Sequence, residues 1–99
     1  VADWNATVDK TIQDPQRAAK LKDLGRQLID VSEATEQDIA ALNRQMIALN
    51  ENYNATQAEM QELVGEFKKT RNARFVQYRD IIFAMREEVS ADEWKHLIK

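Results

Sequence analysis

The chain has 99 residues, of which 17 are acidic and 14 are basic, so its formal net charge is −3. A net negative charge gives no general attraction to nucleic acid, and we expect no nucleic-acid partner. The absence of cysteine excludes disulfides and thiolate sites, and no run of about 18 apolar residues that could span a membrane occurs in the sequence.

The composition predicts a single domain that is helical nearly throughout. Only two glycines and one proline occur among many strong helix formers. The hydrophobic content of 43% is enough for a core. Because a bare two-helix hairpin would leave much of its apolar surface in water, we expect extra short helices, a partner subunit, or both.

A short first helix is expected over residues 3–13, with Asp3 as its N-cap. Its apolar residues recur every four positions and share one face, at Trp4, Val8 and Ile12. Asp14 and Pro15 then break the chain and begin the next helix. Aspartate is a good N-cap, and proline at the first helical position lacks only an N–H that has no intrahelical partner.

The first long helix is expected over residues 15–52. Its main apolar row recurs every seven residues, and its companion row slips by one position after Val31. A straight helix with 3.6 residues per turn produces such a slip, so the pattern indicates a bundle helix without long-range supercoiling. The main row is Leu21, Leu28, Thr35, Leu42 and Leu49, and the companion row is Leu24, Val31, Ile39, Met46 and Tyr53.

A turn over residues 50–55 separates this helix from a second long helix, which is expected over residues 55–89. Asn54 is the expected N-cap of the second helix, with Gln57 reaching back to it in a capping box. The apolar surface of this helix broadens from Phe75 onward. A wider apolar arc indicates contact with more than one neighbour.

A last short helix is expected over residues 91–98, after the capping box formed by Ser90 and Glu93. A hairpin brings both chain ends together. We therefore expect one apolar cluster at the open end of the hairpin, consisting of Trp4, Val8, Ile12, Val89, Trp94 and Leu97.

Each long helix is interrupted by polar residues near its middle. The first carries an acidic break at residues 35–38, and the second carries a basic break at residues 70–74. An antiparallel hairpin places these breaks side by side. The predicted fold is therefore all-α, a long antiparallel helical hairpin with a short helix at each end, which we expect to dimerise into a four-helix arrangement.

The hairpin has a predicted register in which the numbers of facing residues add up to about 108. Asp38 then lies near Arg71, and Thr35 lies near Arg74. Gly25 lies opposite Ile82 and Phe83, where the absence of a side chain leaves room for an aromatic ring. The apolar pairs are Leu42 with Phe67, Leu28 with Ile81, and Leu24 with Met85.

The sequence offers little for catalysis or for binding a metal. The only histidine, His96, lies three residues from the end of the chain, where helices fray. Asp92, Glu93 and His96 share one face of a short terminal helix, but a closed site needs about four ligands on a firm frame. We expect no enzyme activity, no catalytic residues, no metal site and no cofactor.

Charge is distributed unevenly between the two long helices. Residues 68–86 contain six bases and only Asp80 as an acid, whereas residues 30–62 contain seven acids and only Arg44 as a base. The two helices can attract one another through these charges, or the basic strip can meet an acidic or unfolded protein partner. The candidate partner-binding residues are Arg71, Arg74, Phe75, Arg79 and Phe83.

Both chain ends contain a motif that resembles a known family. Val89-Ser90-Ala91-Asp92-Glu93-Trp94 resembles the L-T-x-x-Q motif of the periplasmic Spy/CpxP-like proteins, with its three defining positions replaced conservatively. Ile12-Gln13-Asp14-Pro15-Gln16-Arg17 resembles a second, looser copy. The resemblance implies a small bacterial envelope protein with a long helical hairpin. That family includes dimeric chaperones that bind unfolded clients, and related domains that sense metals.

Three functional hypotheses follow from these patterns. The first is a non-enzymatic periplasmic or envelope protein that binds protein partners or unfolded clients, as a chaperone or a stress-response accessory. The second is a structural oligomerisation module of a membrane-anchored protein, and the third is a metal-sensor domain. Because the chain starts with Val1 and not with methionine, we expect a mature or trimmed form that lacks an upstream signal or anchor.

Overall fold

The computed structural model describes residues 2–99 and, within them, contains four helices and no strand. These are α1 (Ala2–Thr11), α2 (Pro15–Glu51), α3 (Gln57–Glu87) and α4 (Ala91–Leu97). The long helices α2 and α3 pack as an antiparallel hairpin, and α1 contacts both α2 and α4. The molecule is elongated, with extents of 61 × 22 × 20 Å. The predicted all-α hairpin with short terminal helices is confirmed.

Two of the predicted helix starts have the expected caps. The Asp14 side chain accepts a hydrogen bond of 3.0 Å from the backbone N–H of Gln16, directly before Pro15 at the first position of α2. At the start of α4, Ser90 and Glu93 form a reciprocal capping box. The prediction for Asp3 is wrong, because α1 begins at Ala2 and Asp3 lies inside its first turn.

The cap of α3 also differs from the prediction. Thr56, not Asn54, is the N-cap, and it forms a capping box with Glu59. Asn54 instead donates its backbone N–H to the side-chain oxygen of Asn52 at 3.0 Å, within the turn. Threonine followed three residues later by glutamate is a complete capping box, so the signal was present in the sequence. The helix consequently begins at Gln57, two residues later than expected.

The hydrophobic core lies at the open end of the hairpin, where both chain termini pack against α2 and α3. The expected terminal cluster is confirmed, with Val8, Ile12 and Leu97 buried and with Trp4, Val89 and Trp94 packed against them. The remaining buried apolar residues are Ala18, Leu21, Leu24, Ile81 and Met85. Between residues 26 and 80, no residue is buried. The short helices therefore complete a core for only one end of the hairpin.

Arg17 connects the start of α2 to the end of α3 and to α4. Its guanidinium donates to the backbone oxygen of Glu88 at 3.0 Å and to the carboxylate of Glu93 at 2.7 Å. Lys20 forms a second ion pair of 2.7 Å with the carboxylate of Glu88. The backbone N–H of Ser90 and the charge of Arg17 lower the pKa of Glu93, because both stabilise its ionised form.

Gly25 makes room for an aromatic ring, as predicted, but the ring is that of Trp4 and not that of Phe83. The indole N–H of Trp4 donates to the backbone oxygen of Leu21 at 3.0 Å. This places the ring against α2, where a Cβ atom on Gly25 would overlap it. Ile82 lines the same groove as Gly25, whereas Phe83 is half exposed on the outside of α3. The predicted contact with Phe83 is wrong because α1 occupies the space over Gly25.

Asp38 pairs with Arg74, one turn away from the predicted Arg71. The Nε atom of Arg74 lies 2.8 Å from Oδ2 of Asp38, and the hydrogen bond with Asp38 raises the pKa of Arg74. Side chains on a helix lean toward its N-terminus, so in an antiparallel pair the two side chains lean in opposite directions. An arginine one turn further along α3 therefore reaches the carboxylate. Thr35 lines a groove together with Arg74, as expected.

We expect Gly25→Ala to be less stable than Gly65→Ala by about 1–3 kcal/mol, the usual effect of overpacking. Both substitutions gain the same helix propensity, but only Gly25 has the Trp4 ring against it, and nothing lies within 4 Å of a Cβ on Gly65. Urea unfolding followed by circular dichroism measures the difference. Equal stabilisation of the two variants would contradict the contact between Trp4 and Gly25.

We expect Arg74→Gln to lower the free energy of unfolding more than Arg71→Gln does. Only Arg74 is bonded to Asp38, and Arg71 has no salt bridge with another residue of the 2–99 segment. In a double-mutant cycle, Arg74→Gln should cost less when Asp38→Asn is already present, because the pair is then already broken. Strictly additive losses in urea unfolding would show that Asp38 and Arg74 do not interact.

Candidate functional site

A stripe of seven exposed residues runs along α3 and contains only basic and apolar side chains. Its members are spaced by three or four positions, which places them on one side of a helix. The acids of α3 lie outside this stripe, at Glu59, Glu62, Glu66, Asp80 and Glu87. We call this row of seven residues the α3 stripe. It consists of Val64, Lys68, Arg71, Phe75, Arg79, Phe83 and Arg86.

Two aromatic rings are the most exposed apolar groups of the α3 stripe. Phe75 is 64% exposed and Phe83 is 52% exposed. The guanidinium of Arg86 lies over the ring of Phe83, 5.1 Å from its centre, which is a cation–π contact. Large aromatic side chains on a surface are typical of protein-binding sites, where they bury the most area on association.

Four of the five predicted contact residues lie together on the α3 stripe. They are Arg71, Phe75, Arg79 and Phe83. Arg79 forms a hydrogen bond of 3.1 Å with its neighbour Asp80, but both side chains are exposed and water screens the pair. Arg74 is not on the stripe, because its guanidinium is bonded to Asp38 between the long helices.

Two grooves on one side of the hairpin extend this surface from α3 to α2. The first is lined by Ser32 and Thr35 of α2 and by Arg71, Phe75 and Tyr78 of α3. The second continues from Tyr78 toward the open end and is lined by apolar residues that include Leu28, Ile29, Ile82 and Trp94. Because both grooves contain Tyr78, they form one continuous side, which we call the open face.

The sequence patterns did not reveal how much of α2 is exposed on this side. Ile39 belongs to the companion apolar row of α2, yet it is 45% exposed, and Ile47 is also exposed. Ile39 follows Thr35 by four positions, so it lies on the side of the open face. Apolar periodicity identifies the stripe of a helix but not the length over which a neighbour covers it. The sequence patterns do not show how far α1 and α4 extend along the hairpin, and that distance decides how much of α2 stays uncovered.

A third groove contains the acidic and histidine side chains that share one face of the last short helix. Asp92, Glu93 and His96 line it, together with residues of α1. Glu93 is bonded to Arg17, and Nδ1 of His96 lies 2.7 Å from the backbone oxygen of Asp92. Among residues 2–99, no group of three or more His, Cys, Asp or Glu side chains is placed to hold a metal ion. In the part of the chain that the structure describes, none of the helices combines the length and the apolar composition that a membrane span requires.

Comparison of the chain with protein-family models, with curated proteins and with solved structures finds no match. The resemblance of both chain ends to the Spy/CpxP-like proteins therefore stays a prediction, as do the envelope location and the dimeric state that it implies. The geometry on which a function can be built is the open face with its α3 stripe.

Proposed function

We propose that this chain is a non-enzymatic bacterial envelope protein that binds other protein chains along the α3 stripe. The observation that carries the proposal is the stripe itself, in which exposed aromatic rings alternate with bases and no acid intervenes. Such a surface suits protein segments that expose apolar side chains and carry acidic groups. Unfolded clients of a chaperone-like or stress-response protein have this chemistry.

The shape of the surface supports binding to extended segments. The α3 stripe runs for about 33 Å at a rise of 1.5 Å per residue. The grooves beside it are open to solvent along the hairpin. An apolar patch rimmed by charge is a common mark of a protein-interaction site. Aromatic and arginine side chains contribute most of the binding energy at such sites.

The test is an aggregation assay with an acidic model client that is unfolded in guanidinium chloride and then diluted into buffer. We expect the wild-type protein to suppress aggregation at equimolar amounts. Arg79→Glu with Phe83→Ala should require about tenfold more protein, because it removes one aromatic anchor and reverses one charge of the stripe. Light scattering at several ratios of protein to client measures this.

The matched control is Arg44→Glu with Tyr53→Ala. It makes the same change in charge and again replaces an aromatic side chain by alanine, at exposed positions outside the α3 stripe, on α2 and in the turn. We expect it to suppress aggregation as well as the wild type does. If the wild type fails to suppress aggregation, client binding is rejected. Equal weakening of both double variants would mean that the stripe is not the binding surface.

A second candidate function is a structural oligomerisation module, and the exposure of apolar residues on both long helices favours it. Ile39 and Ile47 of α2, together with Phe75 and Tyr78 of α3, are exposed along a part of the hairpin that has no buried residue of its own. A stable oligomer that does not bind unfolded clients would support this function over the first.

A further inference from the structure

A second stripe, on α2, has the opposite charge to the α3 stripe. Its members are spaced by three or four positions and include three acids and no base. None of the three acids forms a salt bridge within residues 2–99, and the nearest base on this part of α2 is Arg44, beside the stripe. We call this row of seven residues the α2 stripe. It consists of Ile29, Glu33, Glu36, Ala40, Asn43, Ile47 and Glu51.

The α2 stripe and the α3 stripe flank the same open face. Ile29 lines the groove near the open end of the hairpin, opposite Ile82 of α3. Arg71 and Phe75 line the neighbouring groove, opposite Ser32 of α2. One side of the hairpin therefore carries an acidic and apolar row on one helix and a basic and apolar row on the other.

Matching chemistry also occurs at matching heights along the hairpin. Facing residues have numbers that add up to about 110, as for Asp38 with Arg74 and for Leu42 with Phe67. By this register, three residues of the α2 stripe lie level with chemically complementary residues of the α3 stripe: Glu33 with Arg79, Ile47 with Val64, and Ile29 with Phe83. Glu36 lies within about one helical turn of Arg71.

We propose that a second copy of this chain covers the open face, related to the first by a two-fold axis parallel to the long helices. This operation leaves every residue at its own height and places α2 of one copy over α3 of the other. Glu33 then faces Arg79 of the second copy, Glu36 lies within about one helical turn of its Arg71, and Ile47 faces Val64. The inference rests on the proposed protein-binding role of the α3 stripe. The second copy is the partner that occupies the stripe when no client is bound.

The charges distinguish this arrangement from the other two-fold that joins the same faces. An axis perpendicular to the helices would place α3 on α3 and α2 on α2. The basic α3 stripe would then lie on the α3 stripe of the second copy, with Arg71 level with Arg79, and the acidic α2 stripe would lie on the other α2 stripe. Like charges at a shared surface are unfavourable, so the charge pattern selects the parallel axis.

The size of the open face and the position of the core also favour a second copy. Each stripe is about 33 Å long, and the molecule as a whole is 22 × 20 Å in cross-section. A contact of this length and width is comparable with the ~800 Å² per partner that stable protein interfaces bury. Residues 26–80 contain no buried side chain. A second hairpin would give this part of the molecule the core that it lacks.

Clients and the second copy would compete for the same stripe. The dimer is then the resting form, and an unfolded chain that exposes apolar and acidic residues displaces one copy. Binding of clients is expected to be strongest at low protein concentration, where the dimer dissociates.

The experiment uses sedimentation equilibrium on the full chain and on two charge-reversed variants. We expect the wild type to have about twice the monomer mass of 11.5 kDa. Glu33→Arg with Glu36→Arg, and separately Arg71→Glu with Arg79→Glu, should each raise the dimer Kd by about tenfold or more, because attraction becomes repulsion at both contacts. An equimolar mixture of the two variants should form a heterodimer, since opposite charges face one another again.

The heterodimer also shows that both variants are folded. Glu62→Arg with Glu66→Arg, at exposed acids of α3 outside the stripe, is the matched control and should dimerise like the wild type. A monomeric wild type at about 100 μM, which corresponds to a very weak contact, would overturn the proposal. So would charge-reversed variants that dimerise as tightly as the wild type, or a mixture that stays monomeric.

These outcomes are separable from those of the client-binding proposal. A monomeric wild type that suppresses aggregation overturns only the self-association. A dimer that breaks and re-forms as described, but does not suppress aggregation, overturns only the binding of clients.

Discussion

The structure depends on one constraint, which is that two long helices can cover only one side of each other. In α2 and α3 the apolar surface is wider than their mutual contact, and α1 and α4 are too short to cover more than one end. The buried residues consequently lie near the chain termini, and residues 26–80 contain none. Surface that would be core in a larger bundle is thus available for binding along most of the hairpin.

Within that uncovered region, a polar contact stands where an apolar layer is expected. Asp38 and Arg74 meet between the helices, and the desolvation of both charges offsets much of their attraction. The pair therefore contributes more to the register of the hairpin than to its stability. A fixed register matters for binding, because a slip by one turn would move the two stripes relative to each other and change which groups lie at the same height.

The sequence was sufficient to predict the fold, including the caps at Asp14 and Ser90 and the apolar cluster where the termini meet. The errors concern features that periodicity does not contain. Because side chains on a helix lean toward its N-terminus, the partner of Asp38 is Arg74, one turn beyond the predicted Arg71. Because α1 packs over Gly25, the ring that contacts this glycine is that of Trp4 and not that of Phe83. Most of the candidate surface was predictable from charge, whereas its continuity with α2 depends on where the terminal helices stop.

The separation of charge between the long helices restricts the orientation in which a second hairpin can dock, which apolar patterning alone does not do. Apolar stripes would allow a second hairpin to dock in either direction and at several heights, because burial of apolar area is not directional. An acidic row on α2 and a basic row on α3 make one of these arrangements attractive and the other repulsive. Charged side chains between apolar ones also keep a surface hydrated, which in general opposes indiscriminate aggregation. In the proposed dimer, charge thus selects the partner, and the aromatic and aliphatic groups between the charges supply the area that the contact would bury.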